Sequence, residues 1–463
     1  MKILVAIANY GSANQDHLAR LLGEYRRMPW DVHLVVLSNI DKTLGPDVEV
    51  LVGLPDPRNP FSLPFAHRRL FAERCGDFDL FVYSEDDTLV SQRTVESFLW
   101  ASELLGPGRI PGFLRSEVDN SGNVWVSSVH SQFRWDPSDV VSSGSEVFAR
   151  FTNEHSACYL ATRDQIRSAI ASGGFLVPPH AGRYDMLCSA ATDIYTQCGL
   201  RRYVCVSRLR AFLLPHLPNK YIGRLGLGLP LVEEQAAVVH ELVGSSAWCG
   251  PLMNLETGLP DGQGGKDLYE AASGEVLELV PQQARSVLSI GVGRGETEAA
   301  LAARGVAVTA IPVDPVFGAG LKQRGIEVIN GKFEDATASL RGRGFDCVLL
   351  LDVLQLVPDP VRWLTALRAV LSPEGCLVFS MPNTRDPLAR IGASQLTKPV
   401  SLEASGGAER GAAELRSCFA DSGYRVLRIS PRLGPKRARF ARWIPGGVRE
   451  RIARSFVGAA ASR

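Results

Sequence analysis

Nine cysteines are scattered singly along the chain, at 75, 158, 188, 198, 205, 249, 347, 376 and 418, and none stands in a C-x-x-C pair. Their odd number and irregular spacing argue against a disulfide framework or a zinc site, and favour a reducing compartment. Long apolar runs are also missing, and nothing approaches the ~20 residues needed to span a bilayer. The run Ile3 to Ala8 after Met1-Lys2 is too short for a signal-peptide core and reads as a first β-strand. A cytoplasmic protein is the expectation. Charge of one sign is lacking too: 50 Lys and Arg against 49 Asp and Glu leave a net +1, which argues against nucleic acid as a partner. What remains is an ordinary globular composition, 45% apolar and 21% charged, over 463 residues. That length exceeds a single hydrophobic core and predicts two or three domains.

The N-terminal half opens as a βαβ unit. Residues 2–8 form a continuous apolar strand, Gln15 to Tyr25 a helix with Leu18, Leu21 and Leu22 on one face, and Val32 to Leu37 a second strand. Ligands of doubly wound sheets lie at the carboxyl ends of the strands, which places Ala8-Asn9-Tyr10 and Ser38-Asn39 at a pocket rim. A basic helix over Phe65 to Cys75 carries His67, Arg68 and Arg69. The strand from Asp79 then runs into three successive carboxylates, Glu85-Asp86-Asp87. Crowded like charges need compensation, by a hard divalent cation such as Mg²⁺ or Mn²⁺ or by water at a solvated turn or helix cap. Further on, Arg115 and Glu117 lie in a loop as a charge pair. The Phe133-Arg134-Trp135 aromatics suit either sugar stacking or a core. Asp185 and Asp193 are carboxylates able to accept a proton or to cap a helix.

Taken together, the N-terminal strand, the βαβ half-sheet and the strand ending in an acidic triplet resemble the GT-A fold of nucleotide-sugar glycosyltransferases. Glu85-Asp86-Asp87 corresponds to that family's DxD motif. The resemblance implies a divalent metal on Glu85, Asp87 and the late histidine His216. It implies a nucleotide-sugar donor against Asn9, Asn39, Arg68 and Asp86, a glycan acceptor, and Asp193 or Asp185 as the base, with Asp193 preferred. The domain is assigned to residues 1–255.

Gly250 to Lys266 is rich in Gly and Pro, and 256–267 is assigned as the linker. An amphipathic helix over Leu268 to Val280 follows. Next, the apolar stretch Val287 to Ile290 meets Gly291-Val292-Gly293-Arg294-Gly295 and then a helix-forming segment. A strand turning tightly into a helix with no side chains at the turn lets a ligand lie against backbone at the helix N-terminus. A strand ending at Asp314, the Glu334-Asp335 pair, a buried strand ending at Asp352, a helix from Pro360 and a strand from Cys376 follow in order.

That order resembles the class I S-adenosylmethionine-dependent methyltransferases, with the domain assigned to 268–430. The resemblance implies cofactor binding by Gly291, Gly293, Gly295, Asp314, Glu334, Asp335 and Asp352. Asp314 would take the ribose hydroxyls, and Glu334 or Asp335 would approach the adenine. Ser289 stands where the family usually has an acid, and Gln355-Leu356 replaces a frequent Glu-His. The fold class expected is therefore α/β, with two doubly wound domains, GT-A-like and then Rossmann-like. Residues 431–463 read as a basic helical tail, either a solvated terminal helix or a peripheral membrane contact. The function expected is a bifunctional transferase that adds a sugar and methylates a glycan hydroxyl. The alternatives are a methyltransferase with a non-catalytic acceptor-binding N-terminal domain, and a glycosyltransferase with a degenerate methyltransferase-like scaffold.

Overall fold

The computed structural model describes residues 1–127, 134–223, 226–243, 245, 251–255, 265–385, 410–433, 450, 453 and 455–462. The chain divides into two units, Met1–Val243 and Gly244–Arg463.

The N-terminal unit begins β1 (Lys2–Asn9), α1 (Gln15–Arg26), β2 (Asp31–Ser38), β3 (Val48–Val52), α2 (Ala66–Glu73), β4 (Leu80–Glu85) and α3 (Gln92–Leu105). Short strands follow: β5 (Arg109–Pro111), β6 (Leu114–Val118), β7 (Val124–Ser127), β8 (Trp135–Ser143) and β9 (Glu146–Phe151). It closes with β10 (Cys158–Thr162), α4 (Arg163–Ala171), α5 (Met186–Thr196), β11 (Arg201–Cys205), β12 (Leu213–Pro215), β13 (Gly226–Gly228) and α6 (Leu229–Leu242). The main sheet has the order β10-β4-β1-β2-β3, with β10 alone antiparallel. Ile3 to Ala8 are buried throughout, as a strand covered on both faces requires. Register places Ala8 beside Glu85 and Asn9 beside Ser38, so three carboxyl ends meet at one rim.

The C-terminal unit runs α7 (Gly274–Leu279), β14 (Ser286–Val292), α8 (Glu296–Ala303), β15 (Ala307–Pro312), α9 (Pro315–Gln323), β16 (Glu327–Val328) and α10 (Phe333–Ser339). Then come β17 (Phe345–Leu351), α11 (Pro360–Leu367), β18 (Leu371–Pro382), α12 (Ala412–Asp421), β19 (Tyr424–Arg432) and β20 (Ser455–Ser462). Its sheet has the order β16-β15-β14-β17-β18-β20-β19. The first five strands follow the 3-2-1-4-5 order of a Rossmann-like sheet. The last strand inserts antiparallel between β18 and β19, which separates this sheet from the simple dinucleotide-binding form.

Three sequence expectations fail here. Leu252, Met253 and Leu255, just before the assigned linker, pack in the C-terminal core, and the Leu252 amide donates to the Val313 carbonyl at 2.8 Å. Their Gly- and Pro-rich surroundings hid three core side chains. Positions 256–264 of the linker lie outside the described residues. The helix expected from Leu268 starts only at Gly274, where the Ser273 hydroxyl caps it by accepting from the Val276 amide. Residues before that cap run non-helically, and the Leu268 carbonyl accepts from the Arg294 amide at 2.8 Å. The C-terminal tail is not a helix over 455–462 but an inner strand. Gly458 and the alanines after it allow the close fit: a Cβ on Gly458 would lie 2.2 Å from the Arg428 carbonyl oxygen. Arg425 and Arg428 are exposed on β19, an outermost strand whose charges discourage edge pairing. Residues 434–449, which carry most of the basic cluster, lie outside the described residues. Among the described residues, no helix is long and apolar enough to cross a membrane.

Candidate functional site

In the C-terminal unit, β14 runs into α8 through the glycine turn. The strand is buried from Val287 to Val292, and its pairing with β15 shifts register at Gly291. Gly293 needs to be glycine because a Cβ there would lie 2.4 Å from the Leu268 carbonyl oxygen. Gly295, with φ +75°, is the left-handed N-cap of α8. The result is a helix N-terminus approached by bare backbone, which suits an anionic or polar ligand.

Asp314 follows β15, and its Oδ1 accepts from the Val316 and Phe317 amides, capping α9. Asp352 follows β17 with φ +50°. Its amide donates to the Ser380 carbonyl at 3.0 Å, and the Ser380 hydroxyl donates to its carboxylate at 2.7 Å. A non-glycine residue held at positive φ by such bonds is strain of the kind that gathers at functional sites. Glu334 and Asp335 sit in the first turn of α10, both exposed, with Glu334 paired to Arg362 at 3.1 Å. Gln355 is fully buried, its Nε2 donates to the Asp352 carbonyl at 2.9 Å, and its Oε1 has no partner among the described residues.

Three residues here escaped the sequence reading. The Ser289 hydroxyl donates to the Glu298 carboxylate at 2.6 Å, and both side chains are buried. An acid reaches this position after all, from α8 rather than from the strand. Lys266, also buried, donates to the Leu351 carbonyl at 2.5 Å and pairs with Glu270 at 3.7 Å. Burial pushes the Glu270 carboxyl up to about 7, against the pull of Lys266, with Asp352, Glu298 and Asp267 raising it further.

In the N-terminal unit, the rim collects Asn9, Lys42 and Asp86. Asn9 Nδ2 donates to Asp86 at 2.5 Å, Asn14 donates to Asp86 at 2.8 Å, and the Lys42 ammonium donates to Asn9 Oδ1 and the Gly11 carbonyl. Asn39 accepts from the Gly11 amide at 2.7 Å. Burial raises the Asp86 carboxyl, opposed by the two asparagines, and lowers Lys42. Asp87 and His216 lie 3.3 Å apart. Burial works to raise Asp87, yet the His216 ring outweighs it and holds the carboxyl below its ordinary value. The other His216 nitrogen meets Glu117 at 2.5 Å, and Glu117 accepts from the Tyr221 amide at 2.6 Å. Glu117 thus pairs with His216 from strand β6, not with Arg115 in a loop. Glu85 is partly exposed, and burial pushes its carboxyl up to about 8, with Asp87 adding to the rise.

The remaining residues of the expected sugar site have partners of their own, and Asp185 acts electrostatically on Glu85. Arg68 and Asp193 form a buried ion pair at 2.8 Å, and Arg68 also donates to the Ser189 and Ala190 carbonyls. Asp185 caps α5 by accepting from the Cys188 amide at 2.9 Å. Trp135 is buried edge-on against Phe151, and Phe133 lies outside the described residues. Among the described residues, no group of three or more His, Cys, Asp or Glu converges to hold a metal ion. The acidic triplet fails to do so because Asp86 turns to two asparagines and Asp87 to His216.

The family comparison falls in the second unit. Residues 265–429 match the family model described as a methyltransferase domain. The Ubiquinone biosynthesis O-methyltransferase of Azotobacter vinelandii is 39% identical over 133 residues, covering 27% of this chain and 56% of the relative. That of Histophilus somni is 32% identical over 121 residues, covering 23% and 51%. The chain thus spans about half the length of the curated relatives it matches. An S-adenosylmethionine-dependent methyltransferase from Mesorhizobium loti is 17% identical over 40% of this chain and 95% of its own, with a TM-score of 0.32. The C-terminal unit is a class I S-adenosylmethionine-dependent methyltransferase domain with a Rossmann-like fold.

Proposed function

We propose that the C-terminal unit transfers the methyl group of S-adenosylmethionine to a hydroxyl oxygen. The observation that carries this reading is the bare-backbone turn at Gly293 and Gly295 inside a stretch that matches a methyltransferase family. The cofactor supplies an electrophilic methyl on sulfur, and the chain supplies orientation and exclusion of water. Gly291, Gly293 and Gly295 admit the cofactor against the backbone, while Asp314 and Asp352 offer carboxylates at the ends of β15 and β17. The relatives' name, an O-methyltransferase, supports oxygen as the acceptor atom. Calorimetric binding of S-adenosylmethionine by the full chain, with transfer of labelled methyl to candidate acceptors, tests the reading. No binding at millimolar cofactor overturns it.

The N-terminal unit supports a second activity in the same chain, binding of a nucleotide-diphospho-sugar and transfer of its sugar to a glycan that the second unit methylates. What favours it is the rim of Asn9, Asn39, Lys42 and Asp86 at the carboxyl ends of a parallel sheet. Sharing one acceptor would make the covalent link useful, since tethering raises effective concentration. The side-chain arrangement does not fit a resident Mg²⁺ or Mn²⁺, so no step is assigned to one. Titration with UDP- and GDP-sugars, with and without Mn²⁺, tests the reading, and absence of binding in every case overturns it.

A further inference from the structure

A guanidinium taken out of water is costly unless an anion meets it. Arg115 on β6 is 6% exposed, and among the described residues no carboxylate lies in ion-pair contact with it. Strand alternation puts it on the same face as Glu117. Glu117, however, spends its oxygens on His216 and on the Lys220 and Tyr221 amides. Arg115 meets only neutral groups. Its Nη1 lies 3.3 Å from the His155 ring nitrogen, its Nη2 donates to the Ser127 hydroxyl at 3.0 Å, and its buried Nε has no partner among the described residues. Tyr221 covers one face of the guanidinium at 4.8 Å and stacks on His216 with its own ring.

Arg115 acts electrostatically on both Glu85 and Asp87, so it stands beside the acidic triplet at the carboxyl end of β4. The carboxylates that a divalent ion would need are engaged within the chain, Asp86 by Asn9 and Asn14 and Asp87 by His216. Resting on the nucleotide-sugar reading of the N-terminal unit, we infer that this unit binds the diphosphate of its donor without a metal ion, and that the Arg115 guanidinium receives it. The positive charge that a metal would bring is built into β6. A guanidinium presents parallel N–H donors that match two oxygens of one phosphate, which an ammonium does not. Binding the diphosphate would give the buried charge the anion that the chain itself withholds.

The test is calorimetric binding of UDP and GDP to the full chain, in EDTA and in Mn²⁺. The nucleotide that the unaltered chain recognises is expected to bind equally well in both. Arg115→Lys keeps the buried charge but loses the planar fork, and it is expected to unfold at the same temperature as the parent. Its binding should be about 10-fold weaker, and that of Arg115→Met about 100-fold weaker, the range of a charge-assisted hydrogen bond. Binding that needs Mn²⁺, or an Arg115→Lys chain that binds like the parent, overturns the inference and leaves the nucleotide-sugar reading intact. Failure of the unaltered chain to bind either nucleotide under both conditions overturns both.

Discussion

Arg68 and Asp193 meet at 2.8 Å with side chains only 3% and 2% exposed, and His180 approaches the same Asp193 oxygen at 3.4 Å. The pair joins α2 to α5, and Arg68 spends its other donors on the α5 carbonyls of Ser189 and Ala190. Removing one partner leaves an uncompensated buried charge. Asp193→Ala is therefore expected to destabilise the N-terminal unit by roughly 3–5 kcal/mol in urea denaturation. The double change Arg68→Met with Asp193→Leu should recover most of that loss. An Asp193→Ala chain of unchanged stability but reduced sugar transfer would instead favour Asp193 as a base.

Glu85 gives the N-terminal unit a pH dependence of known sign. Its carboxyl rises from an ordinary value near 4.5 to about 8, mainly through burial. Between those values the folded state holds a proton that the unfolded state has lost, so stability is full below about 4.5 and falls as pH rises through 8. Glu85→Gln should match the parent at pH 4 and exceed it at pH 9 by roughly 1–3 kcal/mol, discounted because the carboxyl is partly exposed. Parallel stability–pH curves for the two proteins would contradict the assignment.

The parts of this chain that could be read from sequence are those in which one segment declares itself. β14 and β17 are mostly apolar and buried because both their faces are covered, with Ser289 and Asp346 as the polar interruptions, and the glycine turn, Asp314 and Asp352 follow the ends of β14, β15 and β17. What escaped depends on partners far away in sequence. Glu117 and His216 are 99 positions apart, and nothing near either one marks the contact. The acid missing at Ser289 arrives nine residues later on a helix, where a glutamate in the first turn looks like an ordinary response to the helix dipole. β20 has the small residues of a squeezed inner strand, which carry no hydrophobic period, and it follows a basic stretch that suggests a surface.

Gly293 is the least replaceable of the turn glycines. A Cβ there meets backbone, the Leu268 carbonyl at 2.4 Å, whereas at Gly295 it meets the movable Leu321 side chain at the same distance. Gly293→Ala should displace the crossing segment, cost about 1–3 kcal/mol in stability and abolish detectable cofactor binding. Gly295→Ala, strained by its left-handed backbone at about 1–2 kcal/mol, should retain weak binding. Thermal unfolding and calorimetry of both variants check the order.

Because β20 pairs with both β18 and β19, ending the chain at residue 453 should leave β19 unpaired and β18 with β17 alone, and open the C-terminal core at Phe456 and Ala460. The shortened protein is expected to lose cofactor binding and the unfolding transition of its second unit. A terminal appendage lying on the surface could be removed without either effect, so a shortened chain that still binds S-adenosylmethionine would count against the inner-strand placement.

Glu270 should make cofactor binding release protons. Its carboxyl is raised from 4.5 to about 7 by burial, with Asp352, Glu298 and Asp267 adding to the rise and Lys266 opposing it. Near neutral pH it is about half protonated. A ligand bearing a sulfonium and an ammonium favours the ionised form, so binding drives the proton off, by up to about half a proton at pH 7. Affinity for S-adenosylmethionine should then rise from pH 6 to pH 8 and level off above. Calorimetry in phosphate and in Tris, whose ionisation heats differ, reads the release directly. S-Adenosylhomocysteine, which lacks the sulfonium charge, should release less, and Glu270→Gln should release none. A binding heat independent of buffer at pH 7 would show that Glu270 does not sense the cofactor.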